Sequence, residues 1–364
     1  MRVVTPDNAG MDEAARLLKT GGLVAVPTET VYGLAADAFN AEAVARIYAT
    51  KGRPADNPLI LHVADKSDLD KLTDHLPDYA RTLADRFWPG PLTLVVRKKP
   101  DILPWLGGHP GNTVKTVGVR MPNHPVTLAI IKRSGSIIAA PSANKAGTPS
   151  PTQAEHITND YKDTAQSPDL LVDGGTLEVG IESTVVDATG DKPVILRPGA
   201  ITEEMIREAV GAAVIGKAAN AETPPLSPGT KYRHYAPLAP MTLLSGTAEA
   251  VASFITTQIV SEVDAHIGVL ASPRVLACIN KNWPVMAVQS DSSYTPVVTF
   301  LPLGDPHNLP DIARNLFANL RRFDEKGVDI ILAEALPAEG LGVAIMDRMT
   351  KAAEGRFIRL GVTG

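Results

Sequence analysis

The sequence predicts an α/β protein of two domains. Apolar runs typical of buried strands alternate with helical patterns along most of the chain. A small-residue-rich and then proline-rich stretch at residues 212–240 separates two such alternations. Because 364 residues are enough for two domains of ordinary size, we predict a first domain at 1–208, a linker at 209–240 and a second domain at 241–364.

Composition limits the function classes. Hydrophobic residues make up 44% and charged residues 21%, which is typical of a folded globular protein. The net charge of -5 argues against coating nucleic acid as the main task, although it is compatible with a local basic cleft. Cys278 is the one cysteine, so an intramolecular disulfide and a cysteine-based zinc site are excluded.

Neither a signal peptide nor a membrane span is recognisable. Residues 1–10 lack the apolar core of a signal peptide, and no apolar run reaches membrane-spanning length. We therefore expect a cytoplasmic protein with no membrane partner.

The first domain begins with helices and buried strands in alternation. Helices are predicted at Asp12–Lys19 and at Ala41–Thr50, and the second is capped by Asn40 and ended by Gly52. Strands are predicted at Leu23–Val26, Pro58–Val63, Leu92–Val96, Val117–Met121, Ile137–Ala140, Thr184–Asp187 and Val194–Leu196.

The second domain repeats the alternation on a smaller scale. Helices are predicted at Ala248–Val260 and Ile312–Phe323, the second with one apolar face. The pattern predicts a Rossmann-like α/β domain, but the G-x-G-x-x-G fingerprint of dinucleotide binding is missing. Strands are predicted at Met241–Leu244, Ile267–Leu270, Val297–Leu301 and Asp329–Ala333.

Polar residues of the first domain form four clusters, of which two lie in its N-terminal third. Residues 27–34 directly follow a strand, where ligands of α/β sheets gather; an ordinary strand-to-helix turn is the alternative. In residues 51–59, Lys51 and Arg53 flank a glycine and can converge on polyphosphate, while Asn57 offers a donor and an acceptor. Solvated surface charge is the alternative for that pair.

The other two clusters follow later strands. Arg120 lies in a strand of alternating valines, which predicts a position at a sheet edge or in a cleft. The planar guanidinium group of arginine suits a carboxylate, such as that of a free amino acid. A structural ion pair is an equally open alternative for Arg120. Residues 139–152 place many small polar groups after an apolar strand, as in a pocket for a small polar substrate and phosphate oxygens. Residues 180–184 and 196–199 add a hydroxyl and a cation.

Several common catalytic motifs are missing. The chain has no G-x-x-x-x-G-K-[ST] phosphate loop and no G-x-S-x-G nucleophile elbow. It has no H-E-x-x-H, and its histidines are scattered, so a protein-bound catalytic metal is not expected.

In this order, the clusters resemble the YrdC-like domain of threonylcarbamoyl-AMP synthases, over about residues 10–208. The resemblance rests on Pro-Thr-Glu-Thr-Val-Tyr-Gly-Leu, Lys-x-Arg-Pro-x-x-Asn-Pro-Leu, Pro-Ser-Ala-Asn and Glu-Ser-Thr-Val-Val-Asp in combination. The run at 227–237 and the closing Gly-Leu-Gly-x-Ala-Ile-Met-x-Arg resemble the longer, two-domain form. The resemblance implies a twisted YrdC-like sheet domain with a concave, positively charged site, followed by the smaller Rossmann-like domain.

The resemblance also implies an activity. It is that of a nucleotidyltransferase, an L-threonylcarbamoyladenylate synthase, which uses L-threonine, bicarbonate or CO2, and ATP. Threonine's amino group forms a carbamate, and a carbamate oxygen then attacks the α-phosphorus and releases pyrophosphate. The adenylate passes to a separate threonylcarbamoyl transferase that modifies tRNA. Mg2+ is expected to arrive with ATP, and no protein-bound metal is expected.

Site residues are carried over by motif. The catalytic set comprises Lys51, Arg53 and Ser142. The threonine site comprises Thr30, His62, Arg120, Ala140, Ser142 and Ser183. The ATP site comprises Lys51, Arg53, Asn57, Thr116, Ser150, Arg197 and Tyr235. Lys115 departs from the pattern, in which a smaller or uncharged residue is expected, and a position at the cleft rim would accommodate it.

The linker carries residues that are unusual for a spacer. Lys231, Arg233, His234 and Tyr235 lie in the run at 227–237, which indicates an active-site lid; a passive tether is the alternative.

Two other functions compete with adenylate formation. One is carbamoyl transfer from carbamoyl phosphate, as in the related module of hydrogenase maturation proteins. Those proteins carry additional acylphosphatase and zinc-finger segments, for which this chain has neither the room nor the cysteines. The other is an RNA-binding module, against which the acidic pI of about 5.9 argues as a main activity. A weak contact with tRNA remains compatible with the sequence.

Overall fold

The computed structural model describes residues 1–54, 57–106, 114–211, 214–215, 234–262, 264–289 and 297–361, with the backbone alone at 214–215 and 282–289. These residues divide into two compact units. The first comprises Met1–Ala146 and Ser150–Tyr232, and the second comprises Gly147–Pro149 and Arg233–Gly364.

The first unit is built on a mixed sheet, which has eleven strands in the described part of the chain. The strands are β1 Arg2–Val4, β2 Val24–Val26, β3 Gly33–Asp37, β4 Ile60–His62, β5 Leu92–Arg97, β6 Thr116–Arg120, β7 Ile138–Ala139, β8 Leu170–Val172, β9 Thr184–Asp187, β10 Val194–Arg197 and β11 Val214–Ile215. Their order is β1-β8-β2-β3-β7-β4-β6-β5-β9-β10-β11. β4 and β6 are parallel, whereas β7 runs antiparallel to β4 and β5 antiparallel to β6.

Helices cover both faces of this sheet. They are α1 Asn8–Lys19, α2 Ala41–Lys51, α3 Leu69–Leu72, α4 Asp78–Phe87, α5 Pro125–Ser134, α6 Ala154–Tyr161 and α7 Glu203–Val210. On one face, Val24 and Val26 pack with α1 and α5. On the other face, Ala25 packs with α2 and α4. Alternate residues of one strand therefore enter different cores, as the two-residue period of a strand requires.

Local sequence signals account for α2. The side chain of Asn40 accepts a hydrogen bond from Ala43 N at 3.0 Å, which satisfies one of the amides that a helix start leaves unpaired. Gly52 ends the helix with φ 61°, a left-handed conformation that favours glycine. The predicted cap and stop are both confirmed.

β3 was not predicted from the sequence. Gly33–Asp37 reads Gly-Leu-Ala-Ala-Asp, which contains no β-branched or aromatic residue. It becomes a strand because β2 and β7 pair with it on both sides. The cluster at 27–34 therefore connects two antiparallel strands, and its alternative interpretation as a strand-to-helix turn is wrong.

The second unit contains a parallel sheet, with five strands in the described residues. The strands are β12 Met241–Ser245, β13 Ile267–Ala271, β14 Val298–Pro302, β15 Ile330–Glu334 and β16 Phe357–Arg359, in the order β14-β13-β15-β12-β16. The helices are α8 Ala248–Ser261, α9 Pro273–Gln289, α10 Leu309–Lys326 and α11 Leu341–Ala352. The predicted apolar face of α10, which includes Ile312, Leu316, Leu320 and Phe323, is buried. The Rossmann-like α/β prediction is confirmed.

Among the residues that the structure describes, no helix combines the length and apolarity that a membrane crossing needs.

Candidate active site

The carboxyl ends of β4 and β6 bring two predicted site residues together. His62 and Arg120 end these neighbouring parallel strands and are register partners. Ala140 follows β7 on the other side of β4, where its amide donates to Ile60 O at 3.0 Å. Since β6 lies between β4 and β5, the prediction that the strand of Arg120 is a sheet edge is wrong. Arg120 is the last residue of β6, and its position in a cleft stays a prediction.

Arg120 is buried, and each of its nitrogens contacts a neighbour. Nη1 donates to Thr30 Oγ1 at 3.0 Å and Nε donates to Gly90 O at 3.3 Å. Nη2 lies 2.6 Å from Glu29 Oε2, which is an ion-pair distance. The N–H groups of Nη2 do not point at this oxygen, so that the contact is an ion pair without a hydrogen bond. The structural ion pair anticipated as an alternative for Arg120 is therefore present.

His62 is uncharged at neutral pH. Burial, and then the positive charge of Arg120, lower the pKa of His62 to about 3. Its Nδ1 lies 3.3 Å from Ile60 O, and since a carbonyl only accepts, we assign the ring proton to Nδ1. Nε2 is then a hydrogen-bond acceptor on a residue that is 3% exposed, which suits a substrate hydroxyl.

The loop after β7 pairs with the loop at 27–34. Ser142 forms a bridge with Gly33, and Leu34 N donates to Pro141 O at 2.8 Å. These contacts place Ser142 beside the segment that carries Thr30.

Ser183 is connected to the same region through β5. Its hydroxyl lies 2.8 Å from Thr93 Oγ1, and β5 pairs directly with β6. Arg197 donates to the carbonyl oxygen of Ser183 from Nε at 3.1 Å and from Nη2 at 3.0 Å. The two predicted residues Ser183 and Arg197 are thus in direct contact.

Lys51 and Arg53 have different environments. Lys51 is 3% exposed, and its Nζ donates to Ser142 O at 2.5 Å and to Asn144 O. Arg53 is half-buried, with Nη2 donating to Asn57 Oδ1 at 2.8 Å and to Pro58 O at 2.8 Å. The surface-charge alternative is wrong for Lys51, which connects the end of α2 to the loop after β7.

The remaining predicted ATP residues are spread out. Ser150 is buried and donates to Glu182 Oε1 at 2.5 Å. Thr116 begins β6, four residues before Arg120, and hence about 13 Å away along the strand. Its neighbour Lys115 is exposed. Tyr235 belongs to the second unit.

Within that second unit, Tyr235 is firmly packed. Its ring stacks on Phe317 with centroids 5.3 Å apart, and the guanidinium of Arg348 lies 5.7 Å from its centroid. Its φ of 63° is in the left-handed region, which a tyrosine adopts rarely. Lys231 and Arg233, which share the predicted lid with it, lie outside the described residues.

No cluster of three or more histidine, cysteine or acidic residues that would hold a metal occurs in the described part of the chain.

Three residues of this region were given no role of their own in the sequence analysis, although Glu29 and Asn144 lie in its polar clusters. Thr93 contacts Ser183, Asn144 contacts Lys51, and Glu29 contacts Arg120. Asn144 is part of the Pro-Ser-Ala-Asn motif, and Glu29 carries a further signal: with Asp37, it is one of two charged residues between Lys19 and Glu42. A lone charge among small and apolar residues directly after a buried strand favours a functional carboxylate.

Comparisons with known proteins identify relatives of this chain. The family profile described as "Telomere recombination" matches residues 16–199, and that described as "Threonylcarbamoyl-AMP synthase, C-terminal domain" matches residues 201–354. Threonylcarbamoyl-AMP synthase of Bacillus subtilis (strain 168) is 44% identical, covering 95% of this chain and 94% of its own. The enzyme of that name from Pyrococcus abyssi (strain GE5 / Orsay) is 42% identical, covering 95% of each chain.

A solved structure extends the similarity to the fold. The crystal structure of Pyrococcus abyssi Sua5 complexed with L-threonine matches with a TM-score of 0.84 and 40% identity, and covers 99% of this chain and 98% of its own. The chain therefore belongs to the threonylcarbamoyl-AMP synthase family, in the form that carries both the N-terminal sheet domain and the C-terminal domain.

Proposed function

We propose that this protein forms threonylcarbamoyl-AMP and pyrophosphate from L-threonine, bicarbonate or CO2, and ATP. The observation that carries the proposal is the pair at the ends of β4 and β6, in which a buried arginine lies beside a neutral histidine. Arginine suits a carboxylate and a neutral imidazole suits a hydroxyl, and threonine has both groups. The relative that was solved with L-threonine supports this choice of amino acid.

In the proposed threonine site, Arg120 binds the carboxylate. The side-chain hydroxyl contacts Nε2 of His62 and the hydroxyl of Thr30, while Ala140, Ser142 and Ser183 complete the site.

In the proposed ATP site, cations and polar groups bind the phosphates. Lys51 and Arg53 offset the negative charge, and their attachment to Ser142 O and Asn57 Oδ1 restricts their movement. Mg2+ enters as part of the ATP substrate. The remaining proposed ligands of ATP are Asn57, Thr116, Ser150, Arg197 and Tyr235.

The chemistry needs no covalent enzyme intermediate. The amino nitrogen of threonine bonds to the carbon of CO2 with release of a proton, or to the carbon of bicarbonate with release of water. One carbamate oxygen then attacks the α-phosphorus as pyrophosphate leaves. Lys51, Arg53 and Ser142 act by positioning and charge stabilisation. The product then passes to a threonylcarbamoyl transferase that modifies tRNA in the cytoplasm; any tRNA contact of this chain itself is weak.

Mass spectrometry tests the reaction. The purified protein is incubated with ATP, L-threonine and 13C-labelled bicarbonate, and a labelled threonylcarbamoyl-AMP with stoichiometric pyrophosphate is expected. A parallel reaction with carbamoyl phosphate in place of bicarbonate and threonine tests carbamoyl transfer. Product only in the second reaction would replace the proposal with that alternative, and binding of tRNA without either product would favour the RNA-binding module.

The proposed domain organisation is a catalytic domain at 1–208, a linker and lid at 209–240 and a second domain at 241–364. Support for the lid comes from the basic and aromatic residues of 227–237, and from the need to keep water from a labile carbamate and its adenylate. Hydrogen exchange across 227–237 is expected to slow when threonine and ATP are both present. Exchange that ligands leave unchanged would make the segment a tether.

Tyr235 provides a second test of the lid. Tyr235→Ala is expected to weaken the use of ATP in turnover assays. The loss of its contacts with Phe317 and Arg348 also lowers the stability of the second unit, so Phe317→Leu, which removes the stacked ring but keeps Tyr235, is the matched control. Equal losses of activity in both variants would assign Tyr235 to packing alone.

A further inference from the structure

The carboxylate of Glu29 is unusual for a buried acid. The side chain is 6% exposed, yet neither of its oxygens accepts a hydrogen bond from a described residue. Buried carboxylates ordinarily have donors, because burial removes the water that would otherwise hydrogen-bond to them. Glu29 has the ion-pair contact with Arg120 Nη2 at 2.6 Å, and this contact lacks hydrogen-bond geometry.

The neighbouring groups do not supply the missing donors. Nε and Nη1 of Arg120 already donate to Gly90 O and Thr30 Oγ1. Burial lowers the pKa of His124, although Glu29 and Glu178 act in the opposite direction, so His124 contributes no positive charge at neutral pH. Both carboxylate oxygens of Glu29 can therefore accept hydrogen bonds from a ligand, and they lie beside the proposed site of the threonine carboxylate.

The balance of charge indicates what would donate to it. Glu29 and Arg120 form one buried negative and one buried positive charge. A carboxylate bound to Arg120 adds a second negative charge, which is costly in a buried site unless a second positive charge enters with it. Threonine is a zwitterion, and its ammonium group supplies that charge together with three N–H donors.

We propose that Glu29 binds the α-ammonium group of threonine and acts as the base that converts it to the reactive amine. The inference rests on the proposed function. In the step, an N–H bond of the ammonium breaks, an O–H bond forms on Glu29, and the nitrogen lone pair attacks the carbon of CO2 or bicarbonate. With CO2, the nitrogen loses a second proton to solvent as the carbamate forms. With bicarbonate, the ammonium and bicarbonate give the carbamate, water and one proton, and this is the proton that Glu29 accepts. Its transfer to solvent restores the carboxylate.

A binding cycle tests the ammonium contact without turnover. L-Threonine is compared by calorimetry with 2,3-dihydroxybutyrate of matching configuration, in which a hydroxyl replaces the ammonium. Wild type is expected to prefer threonine by roughly ten- to hundredfold, the range of a hydrogen bond between charged groups. In Glu29→Gln this preference is expected to fall below about threefold, since the amide has no charge.

Glu178→Gln is the matched control, because it makes the same chemical change at an exposed position that also acts on His124. This variant is expected to keep the wild-type preference. If Glu29 merely holds Arg120 in place, Glu29→Gln weakens both ligands equally and leaves the preference unchanged, which would overturn the proposal. Glu29→Asp, which retains the charge, is expected to keep part of the preference and provides the test if the glutamine variant does not fold.

Turnover then tests the role as a base. At saturating threonine, kcat of Glu29→Gln is expected to fall by about a hundredfold or more, and Glu29→Asp is expected to recover part of it. An unchanged kcat with a raised KM would leave Glu29 as a binding group and refute the base. A wild-type protein that makes no labelled adenylate would refute the proposed function instead. The binding cycle would still show whether Glu29 contacts the ammonium group of threonine.

Discussion

His62 makes the stability of the first unit depend on pH in a defined direction. It lies at the end of β4 with 3% of its surface exposed, and burial, followed by the charge of Arg120, lowers its pKa from 6.5 to about 3. The folded protein therefore keeps this imidazole neutral at a pH at which the unfolded chain protonates it. The stabilising effect is complete above pH 6.5 and is lost progressively as the pH falls toward about 3.

The size of the effect follows from the two pKa values. At pH 5 the imidazole of the unfolded chain is almost fully protonated, whereas that of the folded chain is neutral. Proton linkage over about 1.5 pH units below the unfolded pKa lowers the free energy of unfolding by about 2 kcal/mol. The free energy of unfolding of a protein is ordinarily roughly 5–15 kcal/mol, so this loss is a substantial share of it.

Urea denaturation of wild type and His62→Gln at pH 7, 6 and 5 measures this contribution. Replacement of Trp283 by Phe in both proteins leaves Trp88 and Trp105 of the first unit as the fluorescent tryptophans. Every other titrating group is shared, so the difference between the two pH dependences isolates His62. Wild type is expected to lose about 2 kcal/mol more than the variant between pH 7 and pH 5. Equal losses would show that His62 is not held neutral by burial, and the argument for its role as a hydroxyl acceptor would fail with it.

Three further predictions concern the substrates, and a fourth concerns stability. Valine and 2-aminobutyrate should be poor substrates, with serine intermediate, because a site that buries partners for a hydroxyl can reject an analogue without one by roughly 10⁴-fold; comparable turnover of valine would contradict this. Arg120→Lys should raise the KM for threonine, since lysine lacks the bidentate fork, and an unchanged KM would remove Arg120 from carboxylate binding. Arg53→Ala and Lys51→Ala should each reduce threonine- and bicarbonate-dependent exchange between ATP and pyrophosphate, and normal exchange would exclude the residue concerned. Lys51→Ala should in addition lower the free energy of unfolding by about 1–3 kcal/mol, because it removes the lysine donor from the buried carbonyl oxygen of Asn144 and the partly buried one of Ser142.

The local sequence predicted the parts of the fold that depend on neighbouring residues. Asn40 and Gly52 act on the amides and backbone angles of α2 itself, and the apolar face of α10 follows from the helical period. Both features are independent of what packs against them, which is why the sequence sufficed. The motif resemblance likewise identified the family before any geometry was known.

Contacts between distant residues required the tertiary structure. β3 is a strand because β2 and β7 pair with it, although its own residues favour no strand. The burial of Lys51 depends on carbonyl oxygens more than 90 residues away in the chain.

The same distinction holds at the candidate site. The sequence by itself determined which groups are available: Thr30, His62 and Arg120, each at or near the end of a strand. Only the tertiary structure decided that Arg120 faces Glu29 and that His62 is neutral. The physical reason is that charge pairing and desolvation depend on distances between side chains that the chain brings together from separate strands and loops, and no local pattern encodes those distances.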